Sequence, residues 1–215
     1  MRAYNNTKQQ GLPLFLLLIA NLFAAIAWLL IFGLKTVNFW WGMASASGLL
    51  AIWSIIYAKG DRKFFFDFRL SYIVWGIGSA AILYIVFWIG GAVSTRIFGF
   101  ASSQIDSIYA NKAQMNPWIL GLLLLFWIGP AEEIFWRGMG QRVLSKWFGS
   151  NVGWILGALV YTMVHLWAAN FILFMAALIG GLYWGWLYKR FGSLWPGIIS
   201  HALWDLVVFI IVPLK

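Results

Sequence analysis

Acidic and imidazole side chains stand inside long apolar segments in the second half of the sequence. Glu132 and Glu133 lie in PAEEIFWRG, His165 ends YTMVH, and HALWD begins with His201 and ends with Asp205. An ionisable side chain near the bilayer centre costs at least about 2.5 to 3.5 kcal/mol, so such groups usually face a cavity, pair and carry function. Carboxylates and imidazoles are common general acids and bases. The residues therefore predict acid–base chemistry within a membrane.

Helical spacing separates the two neighbouring glutamates. Glu133 and Arg137 are four apart, which favours an ion pair, whereas Glu132 points about 100° away. If Arg137 neutralises Glu133, Glu132 remains a carboxylate in surroundings of low dielectric, where it suits a general base. His201 and Asp205 have the same spacing, and an aspartate can fix the tautomer of a histidine or bind a polar ligand itself.

His165 completes a polar cluster if the helices that carry these motifs meet around one cavity. Each residue also has a purely structural interpretation. Glu133 and Arg137 form an ordinary helix ion pair, Glu132 lies at headgroup level, and a membrane histidine often makes a hydrogen bond between helices. Spacing alone leaves both interpretations open.

The composition requires lipid as the solvent for these helices. Of the 215 residues, 63% are hydrophobic and 10% are charged, whereas soluble domains average about 45 to 50% and about 25%. The net charge of +9 is spread in small groups between apolar segments, which predicts membrane-surface anchoring and no nucleic-acid partner. Because the chain has no cysteine, thiol chemistry is excluded.

Apolar runs of nearly 20 residues match the length that crosses a bilayer core of about 30 Å. We predict an all-α polytopic bundle of about seven transmembrane helices with a polar intramembrane cavity, formed as a single membrane domain over residues 1–215. The connection from Ser94 to Asn116 is either a surface loop or a short interfacial helix. The spans run approximately over Leu12 to Leu34, Phe39 to Ala58, Leu70 to Val93, Pro117 to Trp136, Val152 to Trp167, Phe171 to Tyr188 and Leu194 to Val212.

Lysine and arginine are distributed unequally between the two sides of this bundle. Eleven lie on the side of the amino terminus and four on the other side. Because cytoplasmic loops carry the excess of basic residues, we expect the amino terminus in the cytoplasm and the carboxyl terminus outside. With these boundaries the two expected active groups differ in depth. Glu132 lies about 6 Å and His165 about 20 Å from the cytoplasmic edge.

Three motifs in this order resemble the CPBP (Abi) family, intramembrane glutamic endopeptidases that include CAAX proteases and bacteriocin-processing or immunity proteins. EEIFWR fits the family's EExxxR, YTMVH resembles FxxxH, and HALWD fits HxxxN/D. The similarity covers about Pro117 to Val212, the expected catalytic core, and residues 1–116 carry no family signature. Tyr161 replaces the usual phenylalanine and keeps an aromatic wall, and Asp205 stands where many members have asparagine.

The resemblance implies a role for each matched residue. Glu132 activates a water for attack on a peptide carbonyl, helped by His165. His201 and Asp205 hold the carbonyl and stabilise the oxyanion. Glu133, Arg137 and Tyr161 support the site structurally.

The resemblance also bears on cofactors. The family was long described as metalloproteases, and the two histidines with carboxylates could bind zinc. HExxH is absent and the glutamate mechanism needs no metal, so we expect a metal-free site.

The resulting hypothesis is an intramembrane endopeptidase that cleaves a membrane-associated peptide or protein in a cavity near the cytoplasmic face. The small size and simple architecture favour a bacterial cell membrane. Two other functions fit the same residues. One is a non-proteolytic bacteriocin immunity or scaffold protein that uses the cavity for binding. The other is a small proton-coupled carrier, although no inverted repeat is seen.

Overall fold

Long helices make up the protein, whose computed structural model describes residues 14–58 and 67–214. Within these ranges there is no strand, six helices are long and apolar enough to cross a membrane, and a shorter apolar helix follows. The predicted all-α membrane bundle is therefore confirmed. In chain order, the helices are α1 (Leu14–Gly33), α2 (Phe39–Tyr57), α3 (Ser71–Ile97), α4 (Ala101–Ala110), α5 (Pro117–Phe148), α6 (Ser150–Ala168), α7 (Phe171–Phe191) and α8 (Trp195–Ile211).

Asparagine and glycine residues set several helix ends. The side-chain oxygens of Asn38, Asn116 and Asn170 accept hydrogen bonds from backbone N–H groups in the first turns of α2, α5 and α7. Such caps satisfy donors that the helix itself leaves free. Gly149 separates α5 from α6 with φ of 84°, and Gly192 ends α7 with φ of 65°. Glycine tolerates these positive φ values without a steric penalty.

Two boundaries differ from the predicted ones by about four residues or more, and the others agree within about three. Helix α3 continues to Ile97, and α5 continues past Trp136 to Phe148. The polar residues after Trp136 do not end α5, because Arg137, Gln141 and Arg142 are buried inside the bundle rather than exposed at its surface. The predicted start of the first span at Leu12 lies outside the described residues.

Helix α5 is not a uniform α-helix. Two π-helical stretches, Leu124–Ile128 and Trp136–Gln141, flank the α-helical turns Gly129–Phe135 that carry both glutamates. Inserted π turns are frequent at functional sites. They rotate the helix face and so change which side chains point inward.

Large side chains from α1, α2, α5 and α6 form the main packed core, including Trp28, Leu50, Leu124, Phe135 and Met139. Many apolar side chains outside this core are exposed, for example Leu22 at 62% and Val74 at 73%. A belt of exposed apolar side chains fits contact with lipid tails. Helix association in lipid depends on close packing and interhelical hydrogen bonds rather than on the hydrophobic effect.

Helix α4 lies at one end of the bundle, so the connection from Ser94 to Asn116 contains a short helix, which is one of the two predicted alternatives. The side-chain oxygen of Gln114, in the turn after α4, accepts from the N–H of Phe39 at 2.8 Å, and that of Gln104 accepts from the N–H of Ile172 at 3.0 Å. These bonds tie α4 to the starts of α2 and α7. We call this the α4 end. The basic end is opposite and carries Arg69, Lys146, Lys189 and Arg190.

Candidate active site

A cavity of about 1080 Å³ brings together residues from all three motifs. Its polar lining includes Glu132 from α5, Tyr161 and His165 from α6, and His201 and Asp205 from α8. All five side chains are buried in the bundle. The tertiary structure thus collects groups that lie up to 73 positions apart in the sequence.

Glu132 faces the cavity with one protein hydrogen bond. The hydroxyl of Tyr161 donates to Glu132 Oε2 at 3.2 Å. The expected aromatic wall is therefore also a hydrogen-bond donor, a role that phenylalanine cannot fill. The other carboxylate oxygen, Oε1, has no partner of this kind among the described residues, and Glu132 lines the cavity, where a water or substrate can bind.

His165 has a defined orientation because its Nδ1 lies 2.8 Å from the backbone carbonyl oxygen of Tyr161. A carbonyl oxygen only accepts, so Nδ1 carries the hydrogen and the neutral ring presents Nε2 as an acceptor. Aromatic rings enclose the imidazole, with ring-centre separations of 4.9 Å to Tyr161, 5.7 Å to Phe32 and 6.3 Å to Trp28. They limit the polar contacts of His165 to its free nitrogen.

Glu133 connects two motifs. Its Oε1 accepts from Arg137 Nη1 at 2.9 Å, the ion pair expected from their spacing, and also lies 2.9 Å from His201 Nδ1. Because an ionised carboxylate only accepts, Nδ1 of His201 carries a hydrogen and Nε2 is the other functional atom. A side-chain carbon at Gly197 would lie 2.8 Å from Glu133 Oε2, so glycine makes room for the first turn of α8 beside this carboxylate.

The second nitrogen of His201 faces the cavity side of α8. Its Nε2 lies 3.6 Å from Asp205 Oδ2, which is longer than a normal hydrogen bond. Trp184 of α7 stacks on the imidazole with ring centres 3.7 Å apart and an interplanar angle of 15°. Glu133 and Trp184 together fix the position and the plane of this ring.

Arg137 joins these groups from behind the cavity. Its Nη2 donates to the carbonyl oxygen of Gly181 at 3.3 Å. The guanidinium also lies 4.9 Å from the ring centre of Tyr161 and 5.6 Å from that of Trp184, within the range of cation–π attraction. Arg137 therefore supports both aromatic residues that contact Glu132 and His201.

The longer α5 removes the mismatch in depth between Glu132 and His165. At 1.5 Å per residue, Glu132 lies about 24 Å from Phe148 and His165 about 22 Å from Ser150, at the adjoining ends of α5 and α6. The disagreement arose from ending the fourth span at Trp136. His201 lies only about 9 Å along α8 from its first residue, Trp195, and yet it contacts Glu133 in the middle of α5. Helix α8 therefore begins deeper in the bundle than the level at which α5 ends.

The cavity does not open where the hypothesis placed it, near the side of the amino terminus. Its lining includes Lys35 after α1, Arg96 in the last turn of α3 and Asn170 before α7, all at the α4 end. On the side of the basic end, Arg137, Gln141 and Arg142 are buried in packed structure. Access is therefore from the end opposite to the one predicted.

The resemblance left zinc as an alternative, and a zinc site needs several protein ligands close together. Among the described residues, no three His, Cys, Asp or Glu side chains are grouped closely enough to hold a metal, whereas catalytic zinc uses three protein ligands.

Three features of this site were not predicted from the sequence. They are the contact between Glu133 and His201, the hydrogen bond from Tyr161 and the stacking of Trp184. The first two join residues that the motifs already contain, but spacing within a motif does not show contacts between motifs. Trp184 is one of 16 tryptophans and had no distinguishing signal.

Comparison with known proteins bears on the same half of the chain. Residues 114–207 match the family described as type II CAAX prenyl endopeptidase Rce1-like. No curated protein and no solved structure matches the chain. The matched segment holds all three motifs, which confirms the resemblance to CAAX proteases and supports a protease. Helices α1 to α4 lie outside the match.

Proposed function

We propose that this protein, whose residues 114–207 match the family described as type II CAAX prenyl endopeptidase Rce1-like, is an intramembrane endopeptidase of the glutamic type. The observation that carries the proposal is the convergence of Glu132, His165, His201 and Asp205 on one cavity. Its substrate is a membrane-associated peptide or protein, and its location is the cell membrane, in keeping with the bacterial origin favoured by its small size.

In the proposed reaction, Glu132 and Nε2 of His165 bind a water at the cavity wall. Glu132 removes a proton from this water as its oxygen attacks the carbonyl carbon of the scissile bond. The proton then passes from Glu132 to the leaving nitrogen as the C–N bond breaks, giving a carboxylic acid and an amine. Such proton transfer typically contributes about 10²- to 10⁴-fold to the rate.

His201 stabilises the oxyanion in this proposal as a doubly protonated imidazolium, which donates from Nε2 while Nδ1 donates to Glu133. Glu133 holds the opposite nitrogen at 2.9 Å and Trp184 fixes the ring plane, so the donor is oriented before the substrate binds. Preorganised donors of this kind are often the largest contribution to acyl-transfer catalysis. Asp205 orients the Nε2 edge of the ring. No step requires a metal ion.

Cleavage of a membrane-tethered peptide library by detergent-purified protein tests this function by mass spectrometry. We expect cleavage by the wild type, with and without a chelator, and its loss in Glu132→Gln and His201→Ala. Asp106→Asn is a matched control, because it removes an exposed carboxylate on α4 outside the cavity lining. Cleavage that persists in folded Glu132→Gln contradicts the mechanism.

A binding function is the second candidate, because a cavity of about 1080 Å³ with mainly apolar walls can hold a peptide without cutting it. An immunity or scaffold protein of this kind retains its cellular phenotype after Glu132→Gln. The wild type then gives the same uncut spectra as the variants, although the peptide library still binds.

A further inference from the structure

The route into the cavity is closed on one side of the membrane. Towards the basic end, α5 is packed against its neighbours by Arg137, Met139 and Gln141, each at most 2% exposed. Gln141 donates to the carbonyl oxygen of Gly185 at 2.8 Å and so joins α5 to α7 in this layer. A peptide cannot reach Glu132 through this layer without separating the helices.

The opposite route is short and open. His165 lies three residues before Ala168, the last residue of α6, which places it about 5 Å from the α4 end along that helix. Lys35 and Arg96 line the outer part of the cavity. Polar side chains and charges at the opening and apolar walls below it fit a peptide that passes from a water interface into the membrane.

The connections between helices show which side of the membrane this opening faces. Apart from the buried Arg142, the connections and helix ends at the basic end carry seven lysine and arginine residues, and those at the α4 end carry three. The former are Lys59, Arg62, Lys63, Arg69, Lys146, Lys189 and Arg190, and the latter are Lys35, Arg96 and Lys112. Short loops with the excess of basic residues remain in the cytoplasm. The α4 end therefore faces away from it.

We propose that the cavity receives its substrate from the extracytoplasmic side of the membrane. The substrate is a peptide segment that has been exported and remains attached to the outer leaflet. Its apolar residues contact the cavity walls formed by α3 and α7. Its nature as a peptide rests on the proposed endopeptidase function. The side of access rests only on the position of the opening and on the loop charges.

Single cysteines test the orientation directly, because the natural chain contains none. Ser102→Cys on α4 and Ser150→Cys at the start of α6 are a matched pair, since both serines are exposed and lie at opposite ends. Cells that produce the full chain are treated with a membrane-impermeant maleimide before and after permeabilisation. We expect intact cells to label Ser102→Cys fully and Ser150→Cys only after permeabilisation.

The opposite pattern overturns the proposal, as does labelling of Ser150→Cys in intact cells. A third variant, Ser94→Cys, places the thiol on the cavity lining. We expect intact cells to label this variant also. Protection of Ser94→Cys in intact cells, with labelling after permeabilisation, shows that the cavity opens to the cytoplasm and rejects the proposal.

Cleavage assays then separate this proposal from the proposed function. Reaction of Ser94→Cys with a bulky impermeant maleimide from outside is expected to stop cleavage of an externally added tethered peptide, and reaction of Ser150→Cys is expected to leave it unchanged. If the labelling pattern holds and no peptide is cut, the endopeptidase function fails while the orientation stands. If cleavage occurs and the labelling pattern is reversed, the endopeptidase function stands and the side of access is wrong.

Discussion

Two adjacent glutamates occupy different regions of the molecule. Glu132 is 4% exposed and borders the cavity, where Tyr161 is its hydrogen-bond donor. Glu133 is 1% exposed and lies on the packed side of α5, between Arg137 and His201. One residue of rotation about the helix axis, about 100°, separates the two regions.

The difference shows how identical side chains acquire different roles. Glu133 holds a guanidinium and an imidazole on Oε1, and its Oε2 is buried in packed structure, so this carboxylate orients its partners and is out of reach of a substrate. A carboxylate with one neutral donor retains an oxygen for water. The cavity side of α5 therefore supplies the proposed reacting carboxylate, Glu132. The packed side holds Glu133, which keeps Arg137 and His201 in position.

Glu132→Gln should reduce activity, which depends on the cavity side of α5, without destabilising the packed side. We expect kcat for a tethered peptide to fall by about 10²- to 10⁴-fold, because the general base is lost. The thermal unfolding midpoint in a fixed detergent should stay close to that of the wild type. A large drop in this midpoint would show that Glu132 is structural.

Glu133→Gln should disturb the packed side of α5 and so reduce stability as well as activity. Removing one partner of a buried ion pair costs about 3 to 5 kcal/mol, because the other charge is left without compensation. We expect a lower unfolding midpoint and loss of cleavage. The double variant Glu133→Gln with Arg137→Met should recover part of the midpoint, since no unpaired charge remains, but not the activity. Full activity in the single variant contradicts the proposed orientation of His201.

Tyr161→Phe sharpens the comparison by removing only the hydroxyl that donates to Glu132. Hydrogen bonds to charged groups contribute about 1.5 to 3 kcal/mol, so we expect kcat to fall by about 10- to 100-fold. KM should be unchanged, because the residue positions Glu132 and does not bind the peptide. A rise in KM at constant kcat would instead place Tyr161 in substrate binding.

Gly91→Trp tests the wall of the cavity, and its expected effect is the smallest of the four variants. A side-chain carbon at Gly91 meets no atom within 4 Å, so the larger residue can enter the space that the substrate uses. We expect KM to rise on the order of tenfold, which equals about 1.4 kcal/mol of binding. Gly78→Trp, on the same helix and equally unobstructed but outside the cavity lining, is the matched control and should leave KM unchanged.

Most of the fold was predictable because hydropathy reports directly on which segments lipid can surround. The error at the end of α5 has a physical cause. Arg137, Gln141 and Arg142 interrupt the apolar run, and a hydropathy pattern assigns such residues to the surface. In the bundle they are buried, and partners such as Glu133 for Arg137 and the carbonyl oxygen of Gly185 for Gln141 come from neighbouring turns and helices.

The sequence by itself determined the membrane helices, the Glu133–Arg137 pair and the acidic and histidine side chains within the membrane, since these follow from local composition and helical spacing. Only the tertiary structure decided which partner each group has and where the cavity opens. Contacts such as Glu133 with His201 join residues 68 positions apart. They depend on how α5, α7 and α8 pack, and no periodicity within one segment encodes that packing.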